Sequence, residues 1–439
     1  MEDSGTLLLM NKLAQDLNTI LTNTSAGKCL SSFGKEIFFP KGIVSQSEEA
    51  SAEADRYNAT IGMAFRDNEP VILSSLQSLL PGLTPAESVA YPPTAGIPAL
   101  RALWKSEMKK KNPSLNGKSF SLPTVAPGIT GAISLTADLF CDPGDTVIIP
   151  DFHWGNYRLI FGTRKKGSIQ TFPLFRKTAE GTIFNGNAFS EIIEKSPDKV
   201  IIILNFPNNP TGYSPRIEEK DEILKILQHH AEKGKNIVLL CDDAYFGLFY
   251  EEGIINESMF AEASDLHENV LAVKADGATK EEFAWGFRTG FLTFASRGMG
   301  EDQLRALEMK LKGTVRATTS SSPGLSQHLL LKMMNSKNYR AEKEREYKLL
   351  EQKYRKVKSA VTSSADIPLS PLPYNSGYFI TMACREGVDS ESLRKRLLKR
   401  GIGVLSLESR YIRAAYSSIP LSEIEPFFNE IFFEASNIF

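Results

Sequence analysis

Lys280 stands in the segment Ala-Asp-Gly-Ala-Thr-Lys-Glu-Glu-Phe-Ala-Trp-Gly-Phe-Arg, which ends at Arg288. Upstream lie Asn-Asn-Pro-Thr-Gly at 208–212 and Asp-Asp-Ala-Tyr at 242–245. In one order along one chain these supply an amide, a carboxylate, a phenol, an amine and an arginine. An amine can condense with an aldehyde, and a carboxylate can keep a ring nitrogen protonated. An arginine's planar fork suits bidentate contact with a phosphate. A lone lysine in a charged loop is ordinarily a solvated surface residue. The small residues Gly277, Ala278 and Thr279 before Lys280 change that, because they let the backbone approach a ligand closely. Pro127-Gly128-Ile129-Thr130-Gly131-Ala132 precedes a helical run from Ile133 to Phe140. A glycine turn entering a helix offers free amides and a positive dipole end to an anion, although a plain turn and helix cap would look the same. No Gly-x-x-x-x-Gly-Lys-Ser/Thr segment exists to support a nucleotide P-loop.

These residues need elements to hold them, and the chain is long enough to supply them. Its 439 residues, 42% apolar and 23% charged, suit a soluble protein of two domains. A net charge of -1 gives no reason to expect nucleic acid or an anionic membrane as partner. Cys29, Cys141, Cys241 and Cys384 have no pairing or metal-ligand spacing, and read as reduced thiols in a cytoplasmic protein. The start of the chain lacks the basic and apolar pattern of a secretory signal, and no apolar run approaches a membrane span. Residues 6–21 carry leucines at helical spacing, and residues 22–58 read as mostly irregular. The apolar runs 146–149, 200–204 and 237–240 read as buried strands. Amphipathic helices such as 217–233 separate them, which predicts an α/β fold with a largely parallel sheet. Ligands bind at the carboxyl ends of such strands, and Asn209 and Asp242 fall there. Residues 300–356 are expected to form a long linking helix. Residues 376–439 mix strands and helices, as a smaller α+β domain would. The expected division is an arm (1–70) contributing to the small domain, a large domain (71–325) and the small domain (326–439).

With these motifs in this order, the chain resembles the class I/II aminotransferases, fold-type I enzymes that use pyridoxal 5'-phosphate, over roughly residues 58–420. The resemblance implies a three-layer fold and several residue roles. Lys280 would form the Schiff base and then move the proton between substrate and cofactor. Arg288, with Thr130 and Gly131 in the glycine turn, would hold the phosphate. The family pattern Asp-x-Ala-Tyr selects Asp242, rather than its neighbour Asp243, as partner of the pyridine nitrogen. Tyr245 and Asn209 would share the cofactor's phenolic oxygen. Trp154, in Pro-Asp-Phe-His-Trp-Gly-Asn-Tyr, is similar to the residue that stacks on the ring.

Tyr91, opening Tyr-Pro-Pro-Thr-Ala-Gly-Ile-Pro-Ala-Leu-Arg, resembles the tyrosine that reaches the phosphate of a neighbouring subunit, which implies a homodimer with shared active sites. Arg413, in Tyr-Ile-Arg-Ala-Ala-Tyr-Ser, resembles the clamp on the substrate's α-carboxylate, and Gly62 the loop that closes on it. Arg316 matches the arginine that reads the side-chain carboxylate of acidic substrates, but many relatives keep an arginine near here without that specificity. The chain departs from the aspartate-type pattern at Gly277, where those enzymes carry a phosphate-binding serine, and at the nearby Asp276.

The implied reaction is transfer of an amino group from an amino acid to a 2-oxo acid, with glutamate and 2-oxoglutarate as the expected pair member. Phe152, Trp154 and Tyr157 could accept an aromatic or aliphatic side chain. A lyase or decarboxylase would reuse the same cofactor residues. A non-catalytic regulator would need a DNA-binding segment, and the first 57 residues show none.

Overall fold

β-branched runs buried on both faces build the centre of the molecule. A computed structural model describes residues 12–38, 65–66, 69–70, 81–179, 181–362 and 369–438. The main sheet has seven strands: β1 (Thr124–Pro127), β2 (Thr146–Pro150), β3 (Ser168–Phe172), β4 (Lys199–Asn205), β5 (Asn236–Asp242), β6 (Val270–Gly277) and β7 (Thr289–Ala295). Their spatial order is β1-β7-β6-β5-β4-β2-β3. β7 runs antiparallel to both its neighbours, and the other pairs are parallel.

Alternation along each strand separates two cores. Ile201, Ile203, Val238 and Leu240 enter one; Val200, Ile202, Ile237 and Leu239 enter the other. Both faces are therefore apolar and both must be covered. The register aligns Asn205 with Asp242, and Asp242 with Ala275. The carboxyl ends of β4, β5 and β6 thus share one edge, where the predicted residues cluster.

A second sheet is antiparallel: β8 (Leu369–Pro371), β9 (Phe379–Cys384), β10 (Leu405–Leu407) and β11 (Tyr411–Ala415), in the order β8-β9-β11-β10. Helices Ser390–Lys399 and Ile424–Ser436 cover it. The turn after β4 meets this sheet directly. The Gly212 carbonyl accepts from the amides of Asn375 and Ser376 at 2.9 Å each, and the Thr381 hydroxyl donates to Pro210 O at 2.8 Å. Gly212 has φ +78, and a Cβ there would lie 2.1 Å from Phe379 O, so the position requires glycine.

Two expectations change. The linking segment forms three helices, Glu301–Thr318, Gly324–Met334 and Tyr339–Thr362, instead of one. Ser320, at φ 62, and Pro323 interrupt the first junction, because neither conformation continues a helix. Residues 22–38, read as irregular, contain two one-turn helices capped by the hydroxyls of Thr24 and Ser31. The described start of the arm packs on the main-sheet layer. Leu21, Ala26, Cys29 and Leu30 join the core containing helix Gly128–Phe140, and Ser31 Oγ donates to Asp138 O at 3.0 Å.

Candidate active site

One pocket at the shared strand edge is lined by Ile129, Thr130, Ile133, Trp154, Asn205, Asn209, Asp242, Ala244, Tyr245 and Lys280. Six predicted residues from five separate segments therefore converge. Lys280 lies in the four-residue helix Ala278–Glu281 that follows β6. Its Nζ sits 4.9 Å from the centroid of the Tyr245 ring. Burial lowers its pKa, and Arg288 pushes the same way, while Asp242 opposes them.

Asp242 ends β5 and is 3% exposed. Burial raises its pKa; the Tyr157 hydroxyl, which donates to Oδ2, and the charge of Lys280 pull it back. The Ala244 amide donates to Oδ1 at 3.1 Å. The Tyr245 phenol is raised by burial and by Asp242, with Arg413 opposing. Trp154 packs edge-on to Tyr157, with ring centroids 5.6 Å apart.

Asp243 faces the other side of the sheet, as strand alternation demands. It pairs with Lys274 and accepts from Ser258 Oγ at 2.5 Å. Asp276 also points away from the pocket. Its Oδ2 accepts from Trp104 Nε1 at 3.1 Å and lies 3.3 Å from Lys274 Nζ. The charge of Asp276 is thereby turned away from the pocket.

Three glycines let backbones cross beside the first turn of helix Gly128–Phe140, which contains Thr130 and Gly131 and has no side-chain cap. A Cβ on Gly128 would lie 2.3 Å from the Arg288 guanidinium, so that group rests against the turn. A Cβ on Gly277 would lie 2.6 Å from Thr289 O, which explains why no serine fits there. Arg288 is exposed, has φ 51, and pairs with no carboxylate among the described residues. Its Nη1 donates to Trp285 O at 3.3 Å, and a guanidinium whose charge no carboxylate matches, beside uncapped helix amides, is suited to an anion. Gly290 makes the tightest approach to backbone of the three, since its Cβ would meet Gly128 C at 2.4 Å and Ile129 N at 2.7 Å. Backbone cannot give way cheaply. Gly290→Ala is therefore expected to cost about 1–3 kcal/mol of stability, read as a lower urea midpoint. An unchanged midpoint would contradict this packing.

Arg413, on β11, reaches the pocket rim from the small sheet. Its Nη1 donates to Asn209 Oδ1 at 3.0 Å, and its guanidinium lies 4.5 Å from the Phe379 ring centroid. Its Nε is buried without a hydrogen-bond partner. A buried donor left open in this way calls for an acceptor. The Asn209 amide donates to Asn205 Oδ1 at 2.8 Å, and Asn205 Nδ2 donates to Asp242 O at 2.7 Å.

Two predicted residues stand apart from this pocket. Tyr91 is 73% exposed, and Arg316 is exposed in the last turn of helix Glu301–Thr318. Gly62 lies outside the described residues. Tyr157, read from the sequence as a substrate contact, is instead buried behind the pocket as the hydrogen-bond donor to Asp242. Asn205 was missed. Its place at the end of a strong strand, four residues before Asn209, was the available signal.

A family model described as aminotransferase class I and II matches residues 85–431. The mitochondrial aspartate aminotransferase of Schizosaccharomyces pombe is 25% identical over 338 residues, covering 71% of this chain and 74% of that protein. A probable N-acetyl-LL-diaminopimelate aminotransferase of Bacillus subtilis is 26% identical over 216 residues, 49% of this chain and 50% of that protein, so the match spans half of that relative. Among solved structures, an aminotransferase from Anaerococcus prevotii superposes with a TM-score of 0.71 at 24% identity, covering 100% of this chain and 99% of that one. An aromatic aminotransferase from Pyrococcus horikoshii gives a TM-score of 0.65 at 18% identity, covering 79% and 88%. These superpositions establish a fold-type I architecture. The names of the relatives do not favour the lyase or decarboxylase reading. With most of its length matched by the family model, the chain belongs to the class I and II aminotransferases.

Proposed function

We propose that this protein moves an amino group from an L-amino acid to a 2-oxo acid, with pyridoxal 5'-phosphate held at Lys280 and glutamate and 2-oxoglutarate as one substrate pair. The observation that carries the reading is the convergence of Thr130, Trp154, Asn209, Asp242, Tyr245 and Lys280 on one pocket lining. The donor set fits the cofactor. The glycine cradle and Arg288, whose charge no carboxylate matches among the described residues, suit its phosphate, a buried carboxylate suits its ring nitrogen, and an amine of lowered pKa suits its aldehyde.

Bound there, the cofactor supplies an electron sink for the charge that develops at the substrate's α-carbon. The chain's own residues do the rest. Asp242 holds a proton on the ring nitrogen, and Tyr245 and Asn209 donate toward the phenolic oxygen. Trp154 fixes the ring plane. Lys280 Nζ takes the α-proton and returns it, a role that requires the neutral amine favoured by burial. Arg413 orients the α-carboxylate. The same pocket accepts the amino acid and then the 2-oxo acid.

The exposure of Tyr91 and Arg316 supports a second copy of the chain completing each site. Cys29, Cys141, Cys241 and Cys384 are all free thiols, which supports a reducing compartment such as the cytoplasm. No helix among the described residues is long and apolar enough to cross a membrane. Residues 71–325 are assigned to the cofactor-binding unit and 326–439 to the smaller one.

The test is an absorption spectrum of the purified protein before and after adding single amino acids. A visible cofactor band that glutamate converts to a shorter-wavelength band supports the reading. Absence of any band after incubation with pyridoxal phosphate would overturn it. Arg413→Lys keeps the charge but loses the fork. It is expected to lower kcat/KM for the amino donor on the order of 10²-fold, as losing a charge-assisted hydrogen bond does. Steady-state kinetics with glutamate check this.

A further inference from the structure

The two residues after Lys280 have no part in the reading above. Glu281 and Glu282 are adjacent carboxylates, 6% and 5% exposed. Glu281 opens into a second cleft, one lined also by Glu107, Lys111, Tyr339 and Lys343. Two buried like charges must be matched or they are very unfavourable. Lys111 Nζ lies 2.5 Å from Glu281 and 3.7 Å from Glu282. Lys343 Nζ lies 2.8 Å from each. The Tyr339 hydroxyl donates to Glu282 Oε2 at 2.6 Å. Burial alone would raise the Glu281 carboxyl, but Lys111 and Lys343 pull it down to about 2. Glu281 is therefore charged throughout the neutral range.

The helix that carries Lys280 is one turn long with no side-chain cap, too short to hold itself in place. Around it, Phe283 N donates to the Lys280 carbonyl at 3.2 Å, and the two carboxylates tie the next residues to two other helices. One is Pro98–Lys111. The other, Tyr339–Thr362, extends to the small sheet, where Lys353 Nζ donates to Ser417 O at 2.7 Å, four residues past Arg413. A single helix thus touches the segment after Lys280 and the segment after Arg413.

We propose that Glu281 and Glu282, gripped by Lys111, Lys343 and Tyr339, are positioning residues for Lys280, with Lys343 setting its alignment from the helix that also contacts the small sheet. This rests on Lys280 being the cofactor lysine.

The experiment uses the double variant Lys343→Met/Glu282→Gln, which removes one charge of each sign and leaves Glu281 paired with Lys111. In the cofactor-free protein, the pH dependence of Lys280 acylation is followed by peptide mass spectrometry. The midpoint is expected to move by about half a pH unit or more. In the loaded protein, kcat is expected to fall by about tenfold to 10²-fold with KM for the donor nearly unchanged, and Lys343→Arg is expected to behave as wild type. Tyr339→Phe, which deletes only one hydroxyl, gives the same shifts in smaller measure and serves if the double variant does not fold. Folded variants with an unmoved midpoint and unmoved kcat would overturn the proposal and leave the cluster a purely structural one. Failure of the underlying reading looks different: wild-type protein would then show no cofactor band at all.

Discussion

Replacing Lys280 with alanine should yield a folded protein whose amino-group transfer is slower by about 10⁴-fold or more, the scale of losing a positioned nucleophile and its acid/base function together. The fold should survive because the side chain supports little else. Its amine rests over the face of Tyr245, and its pocket is lined by residues anchored independently. Asp242 is held by Tyr157 and Ala244, and Asn209 by Asn205 and Arg413. The visible band of the bound cofactor should vanish or shift, since no other amine lines the pocket among the described residues. Lys274, the other lysine on this stretch, is committed to Asp243 and Asp276 on the opposite face and cannot substitute. Near-wild-type turnover in Lys280→Ala would remove the assignment of this pocket as the active site.

The second large effect is expected at Asp242. Asp242→Asn should lower kcat by about 10²–10⁴-fold, because a neutral amide cannot hold a proton on the ring nitrogen against the field of a buried site. Stability should move the other way in the cofactor-free protein. Burial raises the folded-state pKa of Asp242 above its unfolded value. An ionised form that is disfavoured on folding costs nothing below the unfolded pKa. It destabilises increasingly as pH rises through the interval up to the raised folded value, and by a constant amount above it. The asparagine variant escapes that cost, and the Tyr157 hydroxyl can turn to accept from the new amide. Urea unfolding of both cofactor-free proteins across the acid range should show the variant gaining on wild type as pH rises. A gap that narrows with rising pH would show that Asp242 is already matched by a cation in the empty pocket. Loading the cofactor should reverse the order, since a pyridinium favours the carboxylate.

Much of this was legible in the sequence because the carriers are local. The apolar runs at 146–149, 200–204 and 237–240 became β2, β4 and β5, and the edge residues followed from where those runs stop. The glycine turn at 127–131 became a helix start for the same reason. What was not legible depends on distant partners or on a second chain. Nothing in the run around Tyr157 says that its hydroxyl meets a carboxylate on β5, and the composition of 300–356 does not reveal that Ser320 and Pro323 break it into separate helices. The pairing of Glu281 and Glu282 with Lys111 and Lys343 spans elements far apart in the chain, so neither carboxylate's partners can be read from its neighbours in sequence. Tyr91 and Arg316 face outward on this chain, where a single sequence gives no surface to meet them.

Asp242 and Asp243 are neighbours in sequence with opposite surroundings: one at the pocket, the other bound to Lys274 behind the sheet. That placement depends on the parity of every residue between Asn236 and Asp242. A single insertion or deletion in the strand would exchange the two carboxylates, putting Lys274's partner in the pocket and the pocket's acid in the ion cluster, while turning the apolar alternation inside out. Substitutions here can be sampled one at a time, but length changes would have to survive two simultaneous losses. Descendants of this chain should therefore vary in the identity of the strand's residues and never in their number, with insertions collecting outside the strands of the main sheet.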